Sequence, residues 1–114
     1  MTSHKGLLKV LAFLFLLMSW TGYKTARWRR LREKILRRDG YRCRDAARYG
    51  KSVQATTVHH VWPAEDYPEY AWQPWNLIAL SQEAHNAMHD RFTDKLTERG
   101  EGWRRRIPPP PSTP

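Results

Sequence analysis

The sequence is poor in cysteine, and this limits how the fold can be stabilised. Cys43 is the one cysteine among 114 residues, so no disulfide can form within the chain. A lone thiol fits a reducing compartment. A chain of this length makes one domain with a modest core, and such domains often need further stabilisation by a disulfide, a bound metal or a partner. The protein must therefore depend on its core, on a metal ion or on a partner.

Acidic residues are also scarce. The chain has 11 Asp and Glu against 20 Lys and Arg, which gives a net charge of +9 and a pI near 10.2. This imbalance favours a polyanionic partner, either nucleic acid or an acidic membrane surface. We predict nucleic acid.

A hydrophobic run long enough to cross a membrane comfortably is missing. The apolar stretch from Val10 to Met18 is much shorter than the roughly 20 residues of a span. It follows a basic start, as in a signal peptide, but Trp20 interrupts the small-residue cleavage pattern. Three interpretations of residues 1–22 stay open: an export signal, a membrane-associated helix, or an upstream start codon where Met18 is the true start. We favour the last, which predicts a cytoplasmic protein; the alternative is anchoring or export through residues 7–20.

A basic amphipathic helix is predicted over residues 25–38. Trp28, Leu31, Ile35 and Leu36 recur at helical spacing, and Asp39-Gly40 is a typical helix end. The rest of the surface is cationic, which indicates sequence-independent contact with DNA phosphates. The predicted DNA-binding residues are Arg27, Arg29, Arg30, Arg32, Lys34, Arg37 and Arg38.

Downstream, the pattern predicts strand, long loop, strand and helix. Residues 53–61 are rich in β-branched side chains, residues 62–75 hold prolines and aromatics, and residues 76–80 form a second apolar run. Ser81 is a typical helix N-cap for a helix that runs through about residue 92 and at most to 97. The basic, proline-rich residues 98–114 are expected to be a disordered tail.

Four of the five histidines fall at His59, His60, His85 and His89, and they predict a metal site. Two imidazoles four apart on a helix lie on one face and can bind one ion. Adjacent strand residues point to opposite sides, so His59 and His60 should have different roles. Three imidazoles with an open fourth position describe a catalytic site, which leaves His60 as a base near neutral pH.

These residues resemble the HNH endonucleases. The resemblance lies in His59-His60-Val61-Trp62-Pro63, Asn76-Leu77 and His85-x-x-x-His89, and residues 28–91 together are similar to small HNH nucleases of bacteria and their phages. It implies an α+β chain with a ββα-metal motif at residues 23–97, the basic helix before it and the disordered tail after it. It also implies that His60 is the general base, that His59, His85 and His89 bind the metal, and that Asn76 ties down the loop.

One departure from the family concerns structural zinc. Many members bind zinc through two C-x-x-C pairs, which here are Cys43-Arg44-Asp45-Ala46 and Ser81-Gln82-Glu83-Ala84. We therefore expect no structural zinc, and we expect the tryptophans around 62–75 to compensate in the core. One catalytic divalent ion is expected, either Zn, Ni, Mn or Mg. Glu65, Asp66 and Asp90 are candidate carboxylates that could lie beside the ion and orient its ligands.

The sequence thus predicts a metal-dependent endonuclease that hydrolyses DNA. The main alternative is a non-catalytic, metal-containing DNA-binding module, and a third is an anchored or exported nuclease. No segment obviously reads base edges, so weak sequence preference is expected. A phage packaging enzyme is a further candidate partner that the sequence leaves open, together with the natural substrate and the oligomeric state.

Overall fold

The computed structural model describes residues 22–111. The apolar N-terminal segment and the three interpretations placed on it lie outside these residues. Among the helices within 22–111, none combines the length and the apolar character needed to cross a bilayer.

The predicted basic helix is present as α1, Ala26–Arg38. The Thr25 side chain caps it by accepting a hydrogen bond from the Trp28 amide at 3.1 Å. Trp28, Ile35 and Leu36 are buried, as their spacing predicted. Gly40 ends the helix with a φ of +65°, a conformation that glycine adopts without steric cost.

Two short antiparallel strands form the centre of the fold. β1 is Thr57–His60 and β2 is Leu77–Leu80, with His60 opposite Leu77 and Thr57 opposite Leu80. Alternation along β2 sends Leu77 and Ala79 into the core beneath α1, and Ile78 and Leu80 into a second core. Both faces of this small sheet are therefore covered, which explains why β2 is apolar at every position.

Two short helices flank the second core. α2 is Arg44–Ala47, and α3 is Gln82–Asn86 with the predicted Ser81 N-cap. The prediction that the last helix runs to about residue 92 or 97 is wrong, because α3 ends at Asn86. The Asp90 side chain accepts hydrogen bonds from the Phe92 and Thr93 amides at 2.9 Å each, and this turn competes with helical hydrogen bonding.

The prediction of a disordered tail is wrong for Glu98–Arg106, which form helix α4. Trp103 is 3% exposed, and its indole Nε1 donates to Asp45 Oδ1 at 2.8 Å. The fully buried Asp45 carboxylate also accepts hydrogen bonds from Arg99. Gly100 permits close packing, since a Cβ there would lie 2.6 Å from the Met88 carbonyl oxygen. The packed unit thus extends beyond the predicted boundary at residue 97.

Trp103 packs in the region that contains Cys43-Arg44-Asp45-Ala46 and Ser81-Gln82-Glu83-Ala84. It shares the second core with Cys43, Ala46 and Ala84, three of the four residues at the ends of these segments. The expected compensation by tryptophans 62–75 is partial: Trp62 packs against this core from its edge, and Trp72 packs against the other one. The large aromatic side chain buried in this second core is Trp103 of α4.

Replacing Trp103 with alanine should destabilise the protein by about 3 to 5 kcal/mol, because a large buried side chain is removed and Asp45 loses a donor. Urea unfolding monitored by circular dichroism measures this change. Tyr49, which is 63% exposed, provides the control, and its alanine variant should stay within about 0.5 kcal/mol of the parent. Equal effects of the two substitutions would contradict the assignment of α4 to the core.

Candidate metal centre

Three histidine rings converge beside β1. The ring centroid of His59 lies 5.3 Å from that of His85 and 5.5 Å from that of His89. Each residue offers one ring nitrogen, and these three atoms all lie within 4.8 Å of one another. The structure therefore brings together the three side chains that the sequence selected as metal ligands.

His89 was predicted to lie in the same helix as His85, but it joins the cluster from outside that helix. His85 lies in α3, but His89 lies beyond its end, in an isolated β-bridge with Leu96. The Met88 amide still bonds to the His85 carbonyl at 3.1 Å, so the chain continues to turn after α3. The four-residue spacing thus keeps both rings on one side without a continuous helix.

The donor atoms fit a divalent cation. His59 Nε2 and His89 Nδ1 are buried without a hydrogen-bond partner among residues 22–111. Such unsatisfied atoms cost free energy, and native structures contain few of them. Burial, followed by the neighbouring His85 and His89, holds the pKa of His59 well below its ordinary value. Neutral imidazole is the form that binds metal, and three of them suit Zn, Ni, Co or Mn better than Mg.

His60 lies on the other side of the strand and has a separate set of partners. Its Nε2 lies 2.9 Å from the Ala71 carbonyl oxygen, and its Nδ1 lies 3.1 Å from the Tyr23 hydroxyl. A carbonyl oxygen only accepts hydrogen bonds, so Nε2 carries the proton and Nδ1 has the lone pair. The Trp28 ring stacks on the imidazole, with centroids 5.2 Å apart. His60 thus has a fixed orientation and one basic nitrogen.

Burial makes His60 a neutral base. The side chain is 5% exposed, and burial lowers its pKa to about 4, although the bond to the Ala71 carbonyl raises it. At neutral pH the imidazole is therefore unprotonated.

Asn76 holds the loop that positions this base. Its Oδ1 accepts from the Trp62 amide at 2.7 Å, and its Nδ2 donates to the carbonyls of Trp62 at 2.9 Å and Tyr70 at 3.2 Å. Tyr70 directly precedes Ala71, whose carbonyl orients His60. These contacts place Asn76 where the expected loop-fixing role requires it.

All four histidines line one pocket of about 340 Å³. Glu65 lines the same pocket, whereas Asp66 is exposed and Asp90 forms the turn after His89. Of the three candidate carboxylates, Glu65 is the one that the structure places at the site.

The cationic residues of α1 fall into two groups. Several have intramolecular contacts: Arg32 donates to the Thr56 carbonyl at 2.5 Å, and Arg38 donates to the Leu77 carbonyl at 2.6 Å. Arg27 lies over the Trp72 ring at 4.1 Å, and Arg37 lies 3.5 Å from Glu33. Arg29, Arg30 and Lys34 form the second group. They are exposed, as are Arg27, Arg37 and Arg38 of the first group.

Sequence reasoning did not identify Tyr23 or Ala71 as parts of the site. Ala71 contributes a backbone carbonyl, which no side-chain pattern reveals. Tyr23 lies at the start of the described chain, in a 3-10 turn outside every motif considered.

Comparisons with known proteins identify the fold. No protein-family model matches the chain. No curated protein matches it either. Among solved structures, it is similar to the HNH endonuclease of deep-sea thermophilic bacteriophage GVE2, crystallised with manganese ion. The two share 24% identity with a TM-score of 0.62, over 68% of this chain and 85% of the phage chain. The chain thus has the fold of an HNH endonuclease, and the predicted α+β class is confirmed.

Acidification should destabilise the metal-free protein. Folding lowers the pKa of His60 from 6.5 to about 4, so the unfolded chain binds more protons between these values. The free energy of unfolding is then highest above pH 6.5 and falls as the pH decreases, by about 3 kcal/mol near pH 4 for His60 alone.

Urea unfolding with a chelator, at several pH values from 7 to 4, measures this loss. The His60→Gln variant corrects for the carboxylates that titrate in the same range, and its stability should fall less. Identical pH dependence in the two proteins would show that His60 is not buried in the neutral form.

Proposed function

We propose that the protein is a metal-dependent endonuclease that hydrolyses DNA phosphodiester bonds. The observation that carries this proposal is the meeting of two sets of groups in one pocket: three converging imidazoles and the oriented, neutral His60. The similar phage protein is named as an HNH endonuclease with manganese ion, which supports the same activity here.

In this mechanism His60 is the general base. Nδ1 takes a proton from the attacking water, while the Ala71 carbonyl holds Nε2–H and keeps the ring in one tautomer. Asn76 restrains the loop that carries this carbonyl. A divalent cation held by His59, His85 and His89 would supply positive charge to the scissile phosphate and the leaving oxygen.

The basic surface supports DNA as the substrate. Arg32 lines the pocket, and its guanidinium is held at the rim by the Thr56 carbonyl. Arg29 lies three residues before Arg32, which places the two side chains next to each other on α1. We infer that phosphates flanking the cut contact this pair.

The second candidate function is a metal-containing DNA-binding module without catalysis. It is favoured by one observation: both ring nitrogens of His60 have protein partners, so a water would have to displace one of them. The first experiment below separates the two functions.

Plasmid nicking with Mn, Ni, Mg or Zn should convert supercoiled DNA into nicked or linear product. The His60→Ala variant should lose at least about a hundredfold in rate, because general-base catalysis contributes that much, while it retains metal and DNA binding. The His89→Ala variant should lose bound metal as well as cleavage. Wild-type protein that binds metal and DNA but cuts with none of these ions would support the binding module instead.

The Arg29→Ala variant should bind DNA more weakly and lower the slope of log affinity against log salt by about 0.9, since one phosphate contact is lost. Fluorescence anisotropy over a salt series measures both quantities. Arg30→Ala is the matched control: it removes the same charge from an adjacent exposed position that points away from Arg32. Equal losses in the two variants would indicate that net charge alone, without the rim position, sets the affinity.

A further inference from the structure

The lone pair of the proposed base is already engaged. Nε2 of His60 carries the proton that the Ala71 carbonyl accepts, so Nδ1 is the nitrogen that must accept a proton from water. The Tyr23 hydroxyl lies 3.1 Å from that atom. An imidazole nitrogen has one in-plane lone pair, so a water molecule and this hydroxyl cannot both bond to it.

Aromatic packing holds the Tyr23 side chain over His60. The Tyr23 ring meets Trp28 edge to face at a centroid distance of 5.3 Å, and it meets the His60 ring in the same manner at 5.8 Å. These ring contacts orient the hydroxyl toward Nδ1, so the hydrogen bond forms within a packed cluster of Tyr23, Trp28 and His60.

Tyr23 is nevertheless attached to the fold by a short and separate element. It lies in the 3-10 turn Gly22–Lys24, which precedes the Thr25 cap of α1. The residue is 48% exposed and lines the same pocket as the metal-binding histidines. Moving this side chain toward solvent requires a side-chain rotation that breaks its ring contacts with Trp28 and His60.

We propose that Tyr23 is an autoinhibitory cap, whose hydroxyl occupies the position of the attacking water at Nδ1 of His60 until DNA enters the pocket. This inference rests on the proposed nuclease function. In the closed state His60 has no lone pair to offer, and cleavage begins only after Tyr23 leaves. Burial raises the pKa of Tyr23 to about 12, so the phenol stays protonated and remains a donor to His60 at neutral pH.

The opposite role, in which Tyr23 assists the reaction, makes the opposite prediction. A hydroxyl that relayed the proton from water to His60 would be needed for turnover, and its removal would slow cleavage. Removal of the Tyr23 hydroxyl therefore distinguishes the two roles: faster cleavage indicates a cap, and slower cleavage indicates a relay.

The test compares single-turnover plasmid nicking with Mn by the wild type, Tyr23→Phe and Tyr23→Ala. Tyr23→Phe keeps the ring and removes the hydroxyl, so it should cut roughly fivefold faster, the factor for one neutral hydrogen bond. Tyr23→Ala removes the whole cap and should also cut faster. Tyr49→Phe, a loss of the same hydroxyl at a residue that is 63% exposed, should leave the rate unchanged. Slower or unchanged cleavage by Tyr23→Phe would overturn the proposal.

A second measurement does not require nuclease activity. Diethyl pyrocarbonate acylates an accessible unprotonated imidazole nitrogen, and tandem mass spectrometry of the peptide assigns the modification to His60 rather than His59. With Mn present, His60 should react several times faster in both Tyr23 variants than in the wild type or Tyr49→Phe. An unchanged rate of His60 acylation in the Tyr23 variants would overturn the proposal that Tyr23 caps His60. Faster acylation in a protein whose wild type and variants never cut DNA would refute the nuclease function and leave the cap in place.

Discussion

The geometry of the site depends on one buried side-chain amide. Asn76 is fully buried and bonds to both backbone groups of Trp62 and to the Tyr70 carbonyl, so it closes the long connection between β1 and β2. If an apolar residue replaced Asn76, these buried backbone groups would lose their hydrogen-bond partners without gaining water. The connection also carries the Ala71 carbonyl, which selects the tautomer of His60. Asn76 thereby helps to determine which ring nitrogen of His60 carries the lone pair.

A second constraint is electrostatic. In a chain with a net charge of +9, several imidazoles meet in one small pocket, and each protonation would add a like charge. Burial and mutual repulsion lower the pKa values of His59 and His85, and burial does the same for His60. The pocket therefore favours the neutral form of His59, His60 and His85. Alternation along β1 gives its two histidines different surroundings, because His59 faces the other histidines while His60 faces Trp28.

Sequence patterns predicted the parts of the structure that depend on local periodicity or on rare residue types. Helix α1 follows from the spacing of Trp28, Ile35 and Leu36, and the metal cluster follows from His85 and His89 four residues apart together with His59 on β1. The missed parts depend on contacts distant in sequence. Trp103 is the single large apolar residue of α4, so the helix looks like a solvated tail until Asp45, 58 positions away, is seen to bind it. The Ala71 carbonyl carries no side-chain signal at all.

Helix α4 connects the stability of the fold to the arrangement of the site. Trp103 and the Asp45–Arg99 ion pair hold α4 against α2 and α3. The same helix also reaches the connection between β1 and β2: Arg104 lies 4.1 Å from the centroid of the Trp62 ring, and the Ile107 carbonyl accepts from the Trp62 indole at 2.7 Å. Trp62 is in turn the residue that Asn76 binds on both backbone groups. Helix α4 therefore joins the second core to the loop that orients His60.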